Sequence, residues 1–421
     1  MMAAPYARGG RREKREPVCQ PRHNFLIRLP THYDGPGGCA RRPPPGGVGA
    51  GGGRGQQGPR VTRIALTRSG GTMQSNFIQT RDLRMQYLQA GTGDPVIFIH
   101  GFPETSYEWR HQFAAFSNVY ACFAPDLRGF GETEKPGARV SRQLLAQDIV
   151  NFMDALGIEK AAVVAHDWGG IVAFKLAIDW PERVTRLALL DTLCTVWTPG
   201  GVHGYWFKAE GLPEEFFAEY HAEFIEAVCG AVPSRPLPGR PASPWVGAAP
   251  GTGRKPWASP DDIAHYRRAF ADPMSHWHAI SYYRYALPFH IVQPDPSASH
   301  GERFESLSES KVAEMWLHPG GLEKHALYAN YMDYGPEDRH KRFEKPTLWM
   351  FGSYLSRSRG TEPPAERPAG WVPSGNPFSD QFSRYFPNLR AVPVNAGHFF
   401  PEEAPEETNH ALRSFLGTPN S

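Results

Sequence analysis

The stretch that decides the fold is AAVVAHDWGGIVAF (161–174). Its first residues, up to His166, are small or β-branched and apolar, a pattern typical of a buried parallel strand. A helical pattern begins immediately afterwards, and Gly169 and Gly170 leave space for a tight turn between the two elements. Such a strand-to-helix turn lifts one side chain above the edge of the sheet. The residue in that position is Asp167.

Asp167 has two possible roles at this turn. A carboxylate held there can attack an sp3 carbon and form an ester that water then cleaves. The helix N-terminus that follows favours the ionised carboxylate. The alternative is an aspartate that only caps the helix.

The pattern around this turn alternates between short apolar strands and helices of ten to fifteen residues. This alternation predicts an α/β fold with a mostly parallel, doubly wound sheet. Between residues 198 and 340 amphipathic helical stretches replace the strand pattern, so we expect a helical cap inserted after the sixth strand, RLALLD. The predicted strands after the first pair are VIFIH (96–100), YACFAPD (120–126), AAVVAH (161–166), RLALLD (186–191), PTLWMFG (346–352) and LRAVPVNAGH (389–398).

The first 72 residues differ in composition from the rest of the chain. They hold 13 basic and 3 acidic residues and are rich in glycine and proline, so they lack the apolar surface that a core needs. A disordered tail or a start assigned upstream of the true one is favoured over a targeting segment. The predicted divisions are a disordered tail (1–72), the first part of the core (73–197), the cap (198–340) with a loop insertion (233–257), and the last part of the core (341–421) with a loop insertion (355–377).

Composition excludes several classes of function. The net charge of +2 over 421 residues is too small to indicate a nucleic-acid partner. No apolar run reaches ~18 residues, so we predict no membrane span and a soluble, cytoplasmic protein. The five cysteines have no metal-ligand spacing, and neither a metal nor an organic cofactor is expected. The oligomeric state stays open.

Two further residues fit a catalytic carboxylate. His398 lies in the loop after the last strand, and histidine titrates near neutrality as a base that activates water must. Asp191 ends the strand RLALLD and can orient that base, because the loop after PTLWMFG has no acid before Glu362. A turn or helix cap is the alternative for Asp191. HGFPETSYEWR (100–110) is expected to bring backbone N–H groups beside the turn.

Four motifs together carry a resemblance that spans about residues 77–416. HGFPE, DLRGFGET (126–133), HDWGG and AGHFFPEEAPEE resemble the epoxide hydrolase and haloalkane/haloacetate dehalogenase group of the α/β-hydrolase fold. The resemblance implies that Asp167 is the nucleophile, His398 the base and Asp191 the acid. It also implies that Phe102 and Trp168 supply the amides of an oxyanion hole.

Two segments of the predicted cap resemble those of epoxide hydrolases in particular. AISYYRYALPF (279–289) resembles the epoxide hydrolase segment whose tyrosine hydrogen-bonds the epoxide oxygen, which implies this role for Tyr283. GVHGYWFKAEGLPEEFF (201–217) resembles the cap segment that carries the second donor to the epoxide oxygen. The resemblance leaves open whether His203 or Tyr205 has this role. Tyr282 is among the aromatic residues expected to form an apolar substrate pocket.

Three functions therefore compete. The first is hydrolysis of a small apolar epoxide to a diol through an aspartyl ester. The second is dehalogenation through the same ester, although Trp168 and Ile171 stand where haloacetate dehalogenases have arginines, and Phe102 stands where haloalkane dehalogenases have a polar donor. The third is a binding module without catalysis.

Overall fold

A computed structural model describes residues 62–64, 73–199, 201–229, 257–294, 297, 302–308, 311, 330–352 and 360–417. Apart from one short strand, the predicted tail (1–72) lies outside the described residues. All of the predicted insertion 233–257 except Trp257 lies outside them as well.

Nine strands of the described chain form one twisted sheet, in the order β1-β2-β3-β5-β4-β6-β7-β12-β13. From β5 to β13 every neighbouring pair is parallel, and β1, β2 and β3 add an antiparallel edge. The predicted α/β-hydrolase architecture with a mostly parallel sheet is confirmed. The strands are β1 (Thr62–Ile64), β2 (Met73–Gln79), β3 (Arg84–Ala90), β4 (Pro95–Ile99), β5 (Ala121–Pro125), β6 (Ala161–His166), β7 (Val184–Leu190), β12 (Thr347–Gly352) and β13 (Leu389–Val394).

Helices cover both faces of the sheet, which explains why the central strands are apolar throughout. In β4, Val96 and Phe98 pack into one buried cluster while Ile97 and Ile99 pack into the other, as alternating side chains of a strand must. The α-helices are α1 (Arg110–Phe116), α2 (Arg142–Ala155), α3 (Asp167–Asp179), α4 (Val202–Trp206), α5 (Leu212–Cys229), α6 (Pro260–Ala269), α7 (Pro273–Tyr285), α8 (Pro377–Tyr385), α9 (Phe400–Glu403) and α10 (Pro405–Leu416).

The cap is not wholly helical, which corrects the expectation for residues 198–340. Helices α4 to α7 are present, but four short strands also form an antiparallel sheet in the order β10-β9-β11-β8. Two of these strands have only two residues each, and the other two, HIVQP and ERFES, lack the continuous apolar run that marks the core strands in the sequence. They are β8 (Val196–Trp197), β9 (His290–Pro294), β10 (Glu302–Ser306) and β11 (Met332–Asp333).

Two boundaries of the predicted divisions can be compared with the structure. Strand β1 lies within the tail that was predicted to be disordered. It pairs with the start of β2, with Thr62 opposite Ser75. Residues 360–376 of the predicted second insertion form neither helix nor strand, and α8 begins directly after Asn376, whose side chain caps it. Within the part of the chain that the structure describes, every helix is too short or too polar to cross a membrane.

Candidate active site

Asp167 stands on a sharp turn between β6 and α3. Its φ of +48° is rare for a residue with a side chain, and the surrounding backbone holds it there. Gly101 makes the turn possible, because a Cβ at this position would lie only 2.7 Å from the Cβ of Asp167. A Cβ at Gly169 would lie 2.2 Å from the Ile99 carbonyl oxygen, and a Cβ at Gly170 would lie 2.3 Å from the Thr192 side chain. Any larger residue at these three glycine positions would clash with its neighbours.

The Asp167 carboxylate is held by groups of two kinds. Its Oδ1 accepts a hydrogen bond of 2.9 Å from the backbone N–H of Phe102, and its Oδ2 lies 3.5 Å from Nε2 of His398. Burial raises the pKa of Asp167, but the contacts with His398, the charge of His166 and the Phe102 amide outweigh burial and lower it. Asp167 is therefore ionised at neutral pH, as a nucleophile must be.

His398 lies between Asp167 and Asp191 and contacts both carboxylates. Its Nδ1 donates to Oδ2 of Asp191 over 2.5 Å. Burial lowers the pKa of His398, while the hydrogen bonds to Asp167 and Asp191 raise it, and the net shift is upward. Asp191 is buried at the end of β7, has a φ of +39°, and accepts a bond of 3.3 Å from the Gly352 N–H. The structure thus brings all three predicted residues together.

These residues lie at the bottom of a cavity of about 320 Å³. Most of its wall is apolar, and core and cap both contribute. The described residues that line it include no lysine and no arginine. They are Phe102, Pro103, Asp167, Trp168, Ile171, Asp191, Thr192, Leu193, Trp197, Thr198, Gly201, His203, Val228, Tyr283, Phe378, His398 and Phe399.

The cap places two of the four predicted residues in the cavity wall. Tyr283 and His203 line the cavity, with their rings 5.8 Å apart. Burial is the main reason that the pKa of Tyr283 is raised well above its usual value, and the Asp167 charge raises it further. A hydrogen bond with the Trp168 side chain has the opposite, smaller effect on this pKa.

Tyr282 and Tyr205 are not among the residues that line the cavity, which corrects the expectation that both belong to the substrate pocket. The hydroxyl of Tyr282 donates to the Arg128 carbonyl oxygen over 2.9 Å. Tyr205 is fully buried, with its ring 5.7 Å from that of Phe289. Consecutive helix positions face about 100° apart, which explains why Tyr283 and Tyr282 cannot both face the cavity.

A buried ionic cluster behind the site was missed in the sequence. His166 lies with its Nδ1 2.9 Å from Glu108 and 3.2 Å from Glu104, and its Nε2 donates to the His398 carbonyl oxygen over 2.9 Å. Burial lowers the pKa of His166, but the two carboxylates raise it well above its usual value. The signal in the sequence was the spacing of the two acids, four residues apart in HGFPETSYEWR.

The same three side chains form a possible metal-ligand group. Their ligand atoms all lie within 4.8 Å of one another. Carboxylates and the His398 carbonyl accept hydrogen bonds, so an imidazolium with both nitrogens protonated accounts for the contacts of His166 without an ion. Glu402 lies in the same buried cluster, where it pairs with Arg110 and accepts a bond of 2.9 Å from the Tyr266 hydroxyl.

Comparisons with known proteins identify the fold family and its relatives. The family profile for the α/β-hydrolase fold matches residues 94–230. The soluble epoxide hydrolase of Corynebacterium sp. (strain C12) is 42% identical over 110 residues, which cover 26% of this chain but only 38% of that protein. Epoxide hydrolase 3 of Siraitia grosvenorii is 32% identical over 237 residues, or 52% of this chain and 74% of that protein.

A solved structure shows the same fold. Epoxide hydrolase A from Mycobacterium thermoresistibile matches 82% of this chain and 98% of its own, with a TM-score of 0.56 at 22% identity. With this fold and these relatives, the chain belongs to the α/β-hydrolase family, in the group of the epoxide hydrolases. The resemblance inferred from the four motifs is confirmed.

Proposed function

We propose that this protein is an epoxide hydrolase that opens a small apolar epoxide to a diol through an ester of Asp167. One observation carries the proposal: Asp167 and Tyr283 line the same apolar cavity, the first on the core and the second on the cap. A nucleophile and a proton donor on opposite sides of a substrate are what ring opening needs.

Ring opening begins with attack by Asp167 on an epoxide carbon. Oδ2 forms the new C–O bond, while Oδ1 stays on the Phe102 amide. The ring C–O bond breaks, and its electron pair remains on the epoxide oxygen. That oxygen takes the proton of the Tyr283 hydroxyl, with His203 as the second donor. Because burial raises the pKa of Tyr283, its hydroxyl is protonated at neutral pH and available for this transfer.

Hydrolysis of the ester uses the other side of the site. His398 Nε2 removes a proton from water, and the resulting hydroxide attacks Cγ of Asp167. Negative charge develops on Oδ1, where the Phe102 N–H already donates and where the Trp168 amide is the second donor that the resemblance implies. The C=O bond at Oδ1 then re-forms as the ester bond at Cγ breaks. The leaving alkoxide takes the proton that the attacking hydroxide brought, so the diol departs with the former Oδ2 and Asp167 is again a carboxylate. Asp191 stabilises the imidazolium of His398 until its proton returns to Tyr283.

Dehalogenation by the same ester is the competing function. A haloacid would place its carboxylate in a cavity whose described lining has no lysine and no arginine. Burying a carboxylate without such a partner is unfavourable. A haloalkane would need a second donor for the leaving halide beside Trp168, and the cavity wall has the apolar Phe102 where haloalkane dehalogenases have a polar donor. Both observations favour an epoxide.

The test is the mass of the intact protein after His398→Gln, since loss of the base leaves the ester without its route to hydrolysis. We expect a styrene oxide adduct of full epoxide mass on the peptide that contains Asp167. Asp167→Asn in the same background is the control and should give no adduct. An adduct only with a bromoalkane, smaller than the reagent by the mass of HBr, would make the protein a dehalogenase. No adduct with either reagent would favour a binding module.

A further inference from the structure

The loop between Asp191 and Trp197 connects two parts of the site. Asp191 holds the catalytic histidine through the bond of 2.5 Å, and Trp197 forms part of the cavity wall. The intervening residues leave the main sheet and lead into the cap, where β8 begins at Val196. This loop therefore joins the acid to the wall of the cavity.

One side chain on a different element holds the middle of this loop. Oε1 of Gln381, on α8, accepts hydrogen bonds from three successive backbone N–H groups, those of Cys194, Thr195 and Val196, each 2.8 Å long. Its Nε2 donates back to the Val196 carbonyl oxygen over 3.2 Å.

The same amide group also ties the loop to its own helix. Nε2 of Gln381 donates to the carbonyl oxygen of Phe378 over 2.7 Å, and Phe378 itself lines the cavity. Gln381 is fully buried, so no water replaces these bonds when the side chain is removed. Five hydrogen bonds from one neutral side chain are more than simple packing requires.

We propose that Gln381 is a positioning residue for the reaction, which keeps Asp191 directed at His398 and Trp197 in the cavity wall. Asp191 needs such support because its φ of +39° is unfavourable and persists only if the surrounding chain holds it. Gln381 touches no reacting atom, so its effect is exerted through the loop. The kinetic part of this inference rests on the proposed epoxide hydrolase function.

The variant that tests the inference is Gln381→Leu, which keeps the volume of the side chain and removes all five bonds. Gln381→Glu keeps the acceptor oxygens for the three N–H groups and should recover most of the loss. Tyr385→Phe is the matched control, since it removes only the bond of 3.1 Å between the Tyr385 hydroxyl and Thr195 Oγ1, on the same helix and the same loop. If Gln381→Leu does not fold, Gln381→Asn, which withdraws the amide by one methylene group, replaces it.

The first measurement needs no substrate. In the proton NMR spectrum, the Nδ1 proton of His398 in its short bond to Asp191 should give a low-field signal. We expect this signal to move upfield or disappear in Gln381→Leu and to stay in Tyr385→Phe. A signal unchanged in folded Gln381→Leu would overturn the proposal, because the residue would then be structural only.

The second measurement separates the two chemical steps. A displacement of about 1 Å costs roughly 10²-fold in rate. Ester hydrolysis, which depends on the Asp191–His398 pair, should therefore slow by about that factor. Ester formation, which depends on this loop only through the wall at Trp197, should slow less, so the ester accumulates. Equal slowing of both steps would contradict the positioning role. If the wild type forms no ester with any epoxide, the proposed function fails, and the NMR result alone decides the inference.

Discussion

The replacement of Tyr283 by phenylalanine should slow epoxide opening with little change in the fold. The ring is stacked on Phe207 with centroids 4.1 Å apart and meets the Trp168 ring edge-on at 5.0 Å, and phenylalanine keeps both contacts. What is lost is the hydroxyl, its polar contact with the Trp168 side chain, and the proton that the leaving oxygen needs. Loss of this buried hydroxyl should cost about 1 kcal/mol of unfolding free energy.

The size of the kinetic effect follows from the number of donors in the cavity. A positioned acid contributes ~10²–10⁴-fold, which is about 2.7–5.5 kcal/mol of barrier. His203 lines the same cavity and remains after the substitution, so we expect the lower end, about 10²-fold in the rate of ester formation. Removing both donors, in Tyr283→Phe combined with His203→Gln, should approach the upper end.

The assay is single-turnover formation of the ester in the His398→Gln background, followed by rapid quench and mass measurement. Tyr282→Phe is a matched control on the next helix position, because its hydroxyl bonds the Arg128 carbonyl and does not line the cavity. This control should keep its rate and lose about 1 kcal/mol of stability. Equal rates for Tyr283→Phe and Tyr282→Phe would refute the assignment of Tyr283 as donor.

Three further predictions concern the nucleophile, the buried cluster and the N-terminal segment. Asp167→Asn should abolish turnover while the circular dichroism spectrum stays that of the wild type, and persistent turnover in a sample free of deamidation would contradict the role. Folding raises the pKa values of His166 and Glu402, whose ordinary values are 6.5 and 4.5. The stability that each group contributes to the folded protein is therefore complete below its ordinary pKa and is lost as pH rises through its raised pKa. Calorimetry should therefore show a melting temperature that falls as pH rises above 4.5, with a shallower fall for Glu402→Gln; an equal slope would argue against this linkage. Among the residues that the structure describes, a chain that starts at Met73 loses only β1, so its melting temperature should lie within a few degrees of the full chain, and a large drop would show that earlier residues support the core.

Much of the catalytic centre could be predicted from the sequence because it sits at the ends of core strands. Asp167, Asp191 and His398 each follow a short apolar run, and the carboxyl ends of such strands meet at one edge of the sheet. Local pattern and topology are then enough to bring residues far apart in the chain together. In the structure, Nδ1 of His398 donates to Asp191, and its Nε2 lies 3.5 Å from Asp167.

The cap was less predictable because its geometry depends on packing against the core. Three tyrosines in four positions of α7 look equivalent in the sequence, and only the rotation of that helix selects Tyr283 for the cavity and directs Tyr282 to the Arg128 carbonyl. The choice of His203 over Tyr205 as the residue in the cavity wall follows in the same way from the placement of α4.

The sequence by itself determined the α/β class, the turn that carries Asp167 and the residues beside it, because periodicity and glycine placement are local properties. Only the tertiary structure decided which cap side chains line the cavity. It alone also showed that His166 lies between Glu104 and Glu108, and that Gln381 holds a loop nearly two hundred residues earlier in the chain. These contacts join segments with no common pattern, and a buried polar side chain has a partner that is visible only after the chain has folded.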